Sequence, residues 1–526
     1  MIVINNIKKP IDVTNEEVID DIKKKYRYNG IDKIFIKKKS LDARGKNFSY
    51  VYSVGIILDD EKGFVKKYPL KNITFYENKK RVLIQGDKKL KNRPVIVGFG
   101  PAGMFCAYEL AKNGYKPLII ERGGKISERD NAVNEFWKKG ILNPENNVQF
   151  GEGGAGTYSD GKLTTRINDS LCNYVLETLY SFGAPEEILY KSKPHIGTDL
   201  LKDIVVKMRE YIISKGGKFL FNTKFCDFDI KDEMITKIKT SAGSIEGSVL
   251  VLAVGHSARD LYKTLFDKKI SMTSKTFSVG FRIEHLQEDV NKSLYGDFYD
   301  NKNLPKGEYQ LSYRENGRGV YTFCMCPGGT VVAAASEENT VVVNGMSNFL
   351  RDGKNANSAV VVNVDSSIFG KNPLDGMKFQ QRLERKAFIA GRKSYSAPCQ
   401  LTGDFLNGAV SSGFGKVKPS YTGNTMFSDF NEIFSSDICL MLKKGLNEFS
   451  YKMECFGQKD AVLTGVETRT SAPLRILRNE DMESIDIKDL YPCGEGAGYA
   501  GGIVSAAVDG IKVSEKIISK YSNAEL

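Results

Sequence analysis

Gly98, Gly100 and Gly103 follow an apolar strand candidate, Val95–Val97, and open a helix candidate over Ala102–Lys112. A second strand candidate, Pro117–Glu121, completes a βαβ unit. Few sequence features restrict a fold so strongly. Gly98 permits the tight turn, Gly100 lets the backbone approach a pyrophosphate, and Gly103 lets the helix pack closely on the strand. The helix start, Pro101 with Ala102 after it, presents the unpaired N–H groups that follow the proline and the positive end of a dipole to phosphate. Glu121 ends the second strand 23 residues after Gly98, where a carboxylate accepts hydrogen bonds from a ribose, and Arg122 follows it. The spacing predicts a dinucleotide-binding domain.

Later segments separate FAD from NAD. The run from Gly151 to Leu163 puts four glycines in six positions, which a core element would not tolerate and an anion-cradling loop needs. Gly153, Gly154, Gly156, Thr157 and Lys162 are its candidate cofactor contacts, and a surface turn is the alternative. The apolar strand Val249–Val254 ends at Gly255. Near the C-terminus, a strand at Leu490 feeds Gly494, Glu495, Gly496, Gly498, Gly501 and Gly502 into a helix candidate, Ile503–Tyr521. An NAD dehydrogenase has no use for this second phosphate-and-ring site. No second strand, G-x-G-x-x-G and helix follows Glu121, so NAD(P)H, as an electron donor, would dock transiently without a Rossmann domain of its own.

The 526 residues exceed what one core supports. Residues 1–93 read as a small βαββ domain, with strands Ile2–Ile4, Ile31–Lys37 and Ser49–Leu58 and a helix opened by the capping box Thr14-x-x-Glu17. They hold 23 basic against 12 acidic residues, leaving 53 against 52 for the rest of the chain. Such a segregated charge admits RNA or an acidic partner, with Tyr26, Tyr28 and Phe35 available for stacking, and also admits a plain solvated face. Residues 94–265 form the first part of the FAD-binding domain, with a helix near Leu200–Ser214 and a strand near Phe219–Phe225. Residues 266–469 form an inserted β-rich substrate or cap domain, with strands such as Phe277–Ile283, Gly319–Cys326 and Thr340–Asn344. Residues 470–526 return to the FAD-binding domain. The N-terminus lacks an apolar signal core, and no stretch approaches the roughly 20 apolar residues of a membrane span. Nine cysteines spread from Cys106 to Cys493 read as reduced thiols of a cytoplasmic protein. His195, His256 and His285 make no metal-ligand spacing, so no metal site is expected.

Residues 94–526 resemble the glutathione-reductase-type FAD flavoproteins of the succinate dehydrogenase and geranylgeranyl reductase kind. The closer resemblance is to the bacterial FAD-dependent dehydrogenases of unassigned substrate. It is carried by Gly151–Leu163, Pro194-His-Ile-Gly-Thr-Asp199, Phe323-Cys-Met-Cys-Pro-Gly-Gly329, Glu467-Thr-Arg-Thr-Ser-Ala-Pro-Leu-Arg475 and Tyr491–Gly510. The resemblance implies an α/β fold with non-covalent FAD. It also implies that Gly501, Gly502 and Ile503 face the flavin N1–C2=O edge, that Glu495 lies on the ribityl–pyrophosphate side, that Gly255 turns beside the pyrophosphate, and that the strand at Phe225 reads adenine.

A flavin performs hydride chemistry itself, so the protein supplies position, electrostatics and a proton donor. The catalytic candidates are Cys324, Cys326, Arg282 and His285. In an extended strand the two cysteines share a face with Cα atoms about 6.7 Å apart, which disfavours a disulfide unless the strand bends. Buried core thiols are the alternative. The helix after the first glycine motif carries only Cys106, unlike the redox pair of the disulfide reductases. Arg282, Arg469 and Arg475 would bind a substrate carboxylate or pair with a structural acid. His195 and His285 read as proton donors or as core histidines. The expected function is hydride transfer between FAD and a small organic substrate, with an RNA-associated flavoprotein or a flavin redox sensor as the other readings.

Overall fold

The computed structural model describes residues 1–45, 47–69, 71–76 and 81–523. Its centre is a parallel sheet of five three-residue strands in the order 490–492, 250–252, 95–97, 118–120, 218–220. Parallel strands this short are stable only when covered on both faces. The helices Pro101–Lys112, Gly197–Ser214 and Ile503–Lys520 share one apolar cluster with this sheet, in which Phe105, Met208 and Ile511 are fully buried. The helix beginning at Ile503 crosses the one beginning at Pro101 so closely that a side chain at Gly510 would strike the Ala102 carbonyl. A three-stranded antiparallel sheet, 225–231, 234–240 and 243–246, lies at the side.

The second large sheet has seven strands in the order 312–315, 318–326, 355–364, 277–286, 462–467, 397–401, 425–427. Strand 277–286 is buried along its whole length, so both of its faces are covered. Phe281 faces the rings of Phe405, Phe430 and Phe434 and shares their cluster with Leu442 and Leu446 of helix Ser436–Lys452. Arg282, pointing the opposite way, lies under Gly345 of the hairpin 330–333/343–346.

The N-terminal sheet has the order 31–42, 49–58, 2–10, 73–75, with Val18 and Ile22 of helix Asn15–Lys25 packed against it. Thr14 and Glu17 form the expected capping box. Beyond the expected βαββ order come helix Glu61–Lys67 and strand Ile73–Phe75. Tyr26 packs on Phe64 and Tyr68, and Phe35 lies across Gly55 of the neighbouring strand, so these rings serve packing. The unit docks on the remainder of the chain: the Lys39 N–H donates to the Tyr190 carbonyl at 2.7 Å, and the Tyr50 hydroxyl to the Asn303 carbonyl at 2.6 Å.

Three expected elements shift. The strand near Phe219–Phe225 is two strands, 218–220 and 225–231, with Asn222 left-handed between them. The strand at Thr340–Asn344 runs instead over Val343–Met346. The helices Asp375–Ala390 and Ser436–Lys452 stand within a region read only as strand-rich.

Candidate active site

Three neighbouring parallel strands, 95–97, 250–252 and 490–492, all run into glycine turns at their carboxyl ends, the edge where open α/β sheets bind ligands. The glycines divide the work. Gly98 has φ +93°, and a side chain there would collide with the Ala253 carbonyl; one at Gly103 would collide with the Gly98 carbonyl. These two let chain segments pack. Gly100 is different: a Cβ there meets only the Gly154 Cα, at 3.8 Å, and Cβ atoms on Gly255, Gly501 and Gly502 would meet nothing within 4 Å. Their backbones face open space, as a cradle for a bulky anionic ligand requires.

The Gly151–Thr157 loop crosses this cradle. A Cβ at Gly154 would lie 2.9 Å from the Gly100 Cα, and one at Gly156 3.4 Å from Ile503. The loop thus lies over two helix N-termini at once, one starting at Pro101 and one at Ile503, whose free N–H groups favour negative charge. Arg129 holds the loop from below. It is fully buried and donates to the carbonyls of Asn147 (2.8 Å), Val148 (2.9 Å), Gly151 (3.3 Å) and Glu152 (2.7 Å). The Thr157 carbonyl accepts from the Thr198 hydroxyl at 2.6 Å.

Glu121 is buried and accepts from the Phe99 N–H on one oxygen, at 2.9 Å, and from Gly123 and Gly151 N–H groups on the other. Its first oxygen keeps one acceptor position for a ribose hydroxyl. Arg122 pairs with Glu145 (2.6 Å) and Asp260 (3.1 Å) and lies 4.0 Å over the Phe150 ring. Phe225 is buried at the start of its strand. Lys162 has a different setting from the phosphate contact expected: its ammonium bonds Asp160 and Glu308, each at 3.1 Å, and Arg351 joins the same acids.

Across the cradle, His256 Nδ1 lies 3.0 Å from Glu495, and His256 Nε2 is buried without a hydrogen-bond partner among the described residues. Glu467 pairs with Arg282 at 3.0 Å. Burial is the main cause that raises the Glu467 carboxyl, to about 6, and Arg282 and His256 oppose it. Arg282 also donates to Asn357 (2.6 Å), Asn344 (3.3 Å) and the Cys324 carbonyl (3.2 Å). It is therefore held by the protein on every side and is no free substrate anchor.

Other candidates are corrected by their surroundings. His285 lies on the Phe281 face of its strand, opposite Arg282, against Tyr309 and Phe456; neither ring nitrogen is bonded among the described residues, and burial pulls its pKa down to about 4. Its ring is therefore uncharged at neutral pH. His195 Nε2 sits 2.9 Å from the Phe349 carbonyl. Arg469 binds a structural acid, Glu384, which Arg259 grips at 2.7 and 2.8 Å. Arg475 is exposed and bonds the Gly498 carbonyl. Cys324 has φ +45°, and the ladder shifts register between Phe323 and Cys326, so the strand bends and the two-residue alternation fails there. The sequence reasoning missed Arg129, Asp160, Arg351 and Glu384. For Glu384 a signal exists: with Gln380 it falls on the apolar stripe of Met377, Leu383 and Ala387, where an acid needs a buried partner.

Among the described residues no three His, Cys, Asp or Glu side chains gather as a metal would need, and no helix is long and apolar enough to cross a membrane. The strand-edge cradle and the converging helix N-termini define a dinucleotide-binding fold. Comparison with known proteins sharpens this. Residues 276–470 match the FAD-dependent protein, C-terminal domain-like family, and residues 96–134 the NAD(P)-binding Rossmann-like domain. An uncharacterized protein of Clostridium beijerinckii is 48% identical over 98% of both chains. A D-amino acid dehydrogenase of Helicobacter pylori is 25% identical over 25% of this chain and 28% of its own. A geranylgeranyl bacteriochlorophyll reductase-like protein of Thermoplasma acidophilum matches 82% of this chain and 79% of its own at 11% identity, with a TM-score of only 0.35. The chain belongs to the FAD-dependent oxidoreductase family. It is an enzyme of that class, and FAD is its cofactor.

Proposed function

We propose that this enzyme transfers hydride between non-covalently held FAD and a small organic substrate bound where the parallel sheet meets the seven-stranded sheet. The observation that carries the reading is the open backbone at Gly100, Gly255, Gly501 and Gly502 beside the unpartnered His256 Nε2. Residues 94–265 and 470–526 would build the FAD-binding unit, and 266–469 would cap it. The N–H groups of Gly100, Ala102 and Gly103 and those of Ala155 and Gly156 would take the pyrophosphate, while the Gly153 and Gly154 N–H groups hold the loop itself by donating to the Phe99 and Gly151 carbonyls; Glu121 would take the adenosine ribose, and Phe225 with Arg122 the adenine side. The N-terminus of helix Ile503–Lys520 would stabilise negative charge on the reduced ring. FAD supplies the hydride chemistry when bound. His256, oriented by Glu495 through Nδ1, is the side chain best supported as proton carrier, because its Nε2 has no partner among the described residues. All nine cysteines are free, which supports a reducing, cytoplasmic setting. Residues 1–93 would serve as a docking appendage, since Tyr26 is packed against Phe64 and Tyr68 and the Lys39 N–H binds the body of the chain.

The test is anaerobic mixing of the purified protein with classes of small reductant, amino acids, hydroxy acids and NAD(P)H among them, while the flavin absorbance is followed. One class is expected to bleach the flavin at a saturable rate, and His256→Gln to slow it by about 100-fold. If no class reduces the flavin and no class of acceptor reoxidises it after chemical reduction, the hydride-transfer reading fails.

A further inference from the structure

We propose that Cys324 and Cys326 form a redox-active dithiol that closes to a disulfide by passing its electrons to the flavin. The proposal rests on the flavin site above and adds a second electron store to it.

A Cys-x-Cys pair in a straight strand spans too far to bridge easily. Here the strand does not stay straight. Cys324 takes a left-handed conformation, φ +45°, which a side-chain-bearing residue adopts only when its surroundings impose it. Register is lost between Phe323 and Cys326. As a result the Cys326 thiol turns back over its neighbour, its Sγ 3.4 Å from the Cys324 carbonyl, and each thiol shifts the other's ionisation. The following turn keeps them there: a Cβ at Gly329 would sit 2.9 Å from the Cys326 Cβ, so only glycine lets the chain fold back under the thiol.

The charge around the pair is cationic where a thiolate would form. Arg282 Nη1 donates to the Cys324 carbonyl and lies 4.0 Å from the Cys326 Sγ. The Cys324 thiol is pulled down chiefly by the hydrogen bond from Cys326, with Arg282 and Lys162 adding to this against the burial that opposes it. Cys326 moves up. That asymmetry, one thiol readier to ionise and a second beside it, is the arrangement of an exchanging pair. The other cysteines with a resolved shift, Cys106, Cys172, Cys399, Cys439, Cys455 and Cys493, all move upward. Arg282, which bonds the Cys324 carbonyl, is itself held by Glu467 at 3.0 Å.

In the step, two S–H bonds break and one S–S bond forms. The dithiol delivers two electrons and two protons to oxidised FAD, leaving a disulfide and reduced FAD, and the reverse step reopens the bridge.

The test is an anaerobic dithionite titration of the fully oxidised holoenzyme, joined to thiol labelling. Wild type is expected to consume about four electrons per FAD and Cys324→Ser about two, since the flavin and the disulfide each take two. Trypsin cuts the pair out as one peptide, Gly319–Arg351, with no other cysteine in it. After ferricyanide that peptide should resist N-ethylmaleimide and weigh two hydrogens less; after dithionite it should take two labels. The peptide measurement needs no variant, and Cys326→Ala replaces Cys324→Ser if the latter does not fold. Bound FAD with two-electron uptake, and a peptide that takes two labels in both states, overturns the dithiol alone. A folded chain that binds no FAD overturns the flavin site, and with it the acceptor named here.

Discussion

His285 fills an apolar niche between Tyr309 and Phe456 with both ring nitrogens unbonded. Burial disfavours a charged imidazole there and lowers its pKa from 6.5 to about 4, with Asp289 and Asp460 acting weakly the other way. Between those values the unfolded chain binds a proton that the folded chain refuses. The stability contributed by the neutral ring is therefore fully present above pH 6.5 and is lost as pH falls through about 4, a total of up to about 3 kcal/mol. His285→Phe is expected to flatten this limb of the pH–stability curve in urea unfolding at neutral and mildly acidic pH; an unchanged acid limb would show that another group dominates it. The strand alternation already carried the reason, because Phe281, Ile283 and His285 share one face while Arg282 takes the other. Reading His285 as a proton donor weighed residue type above position. The bend at Cys324 was not legible in that way, since it arises from tertiary contacts of Arg282 and of the Pro327-Gly328-Gly329 turn.

At the scale of elements, the glycine turns were the most legible part of the chain, and the reason is steric. Glycine is required where backbones cross or where a ligand must reach the main chain, and Gly98, Gly100 and Gly103 divide between these two demands. What the pattern did not reveal is how the turns are held. Arg129 holds the Gly151 loop through four carbonyls, and nothing in the spacing of a helix marks such an arginine. The helix starting at Ile503 bears a prediction of its own. Gly502 is exposed with open space around it, so Gly502→Asp can be accommodated. A carboxylate at a helix start opposes negative charge on a flavin facing that start. The midpoint potential of bound FAD is expected to fall by some tens of millivolts, an energy of about 1 kcal/mol, measured by dye-coupled reduction; a potential unchanged or raised would mean that this helix does not face the ring.

For the whole molecule, the two large sheets are tied by buried charge. Glu384 of helix Asp375–Ala390 takes Arg259, which follows the Gly255 turn, and Arg469, which follows strand 462–467; Thr468 donates to the same carboxylate at 2.7 Å. The two guanidiniums hold the Glu384 carboxyl far below its ordinary range. Glu384→Gln would leave them facing each other with only Glu337, 2.8 Å from Arg259, as a counter-charge, and a loss of about 3–5 kcal/mol in urea unfolding is expected. A loss under about 1 kcal/mol would mean that water or Glu337 compensates the arginines. The large-scale reading of the sequence found the parallel sheet, the strand-rich region and the basic N-terminal unit, because each has its own periodicity or charge. It did not find what joins them, since ion pairs between residues 85 and 125 positions apart leave no local pattern. The central claim is that these parts meet to hold FAD at a glycine cradle, and FAD stoichiometry in wild type and in Gly100→Val tests it most directly. The account predicts about one FAD per wild-type chain, released intact on denaturation, and none in a Gly100→Val protein whose circular dichroism and unfolding midpoint remain native, because the added side chain takes the pyrophosphate's space. Stoichiometric FAD in that folded variant would contradict it.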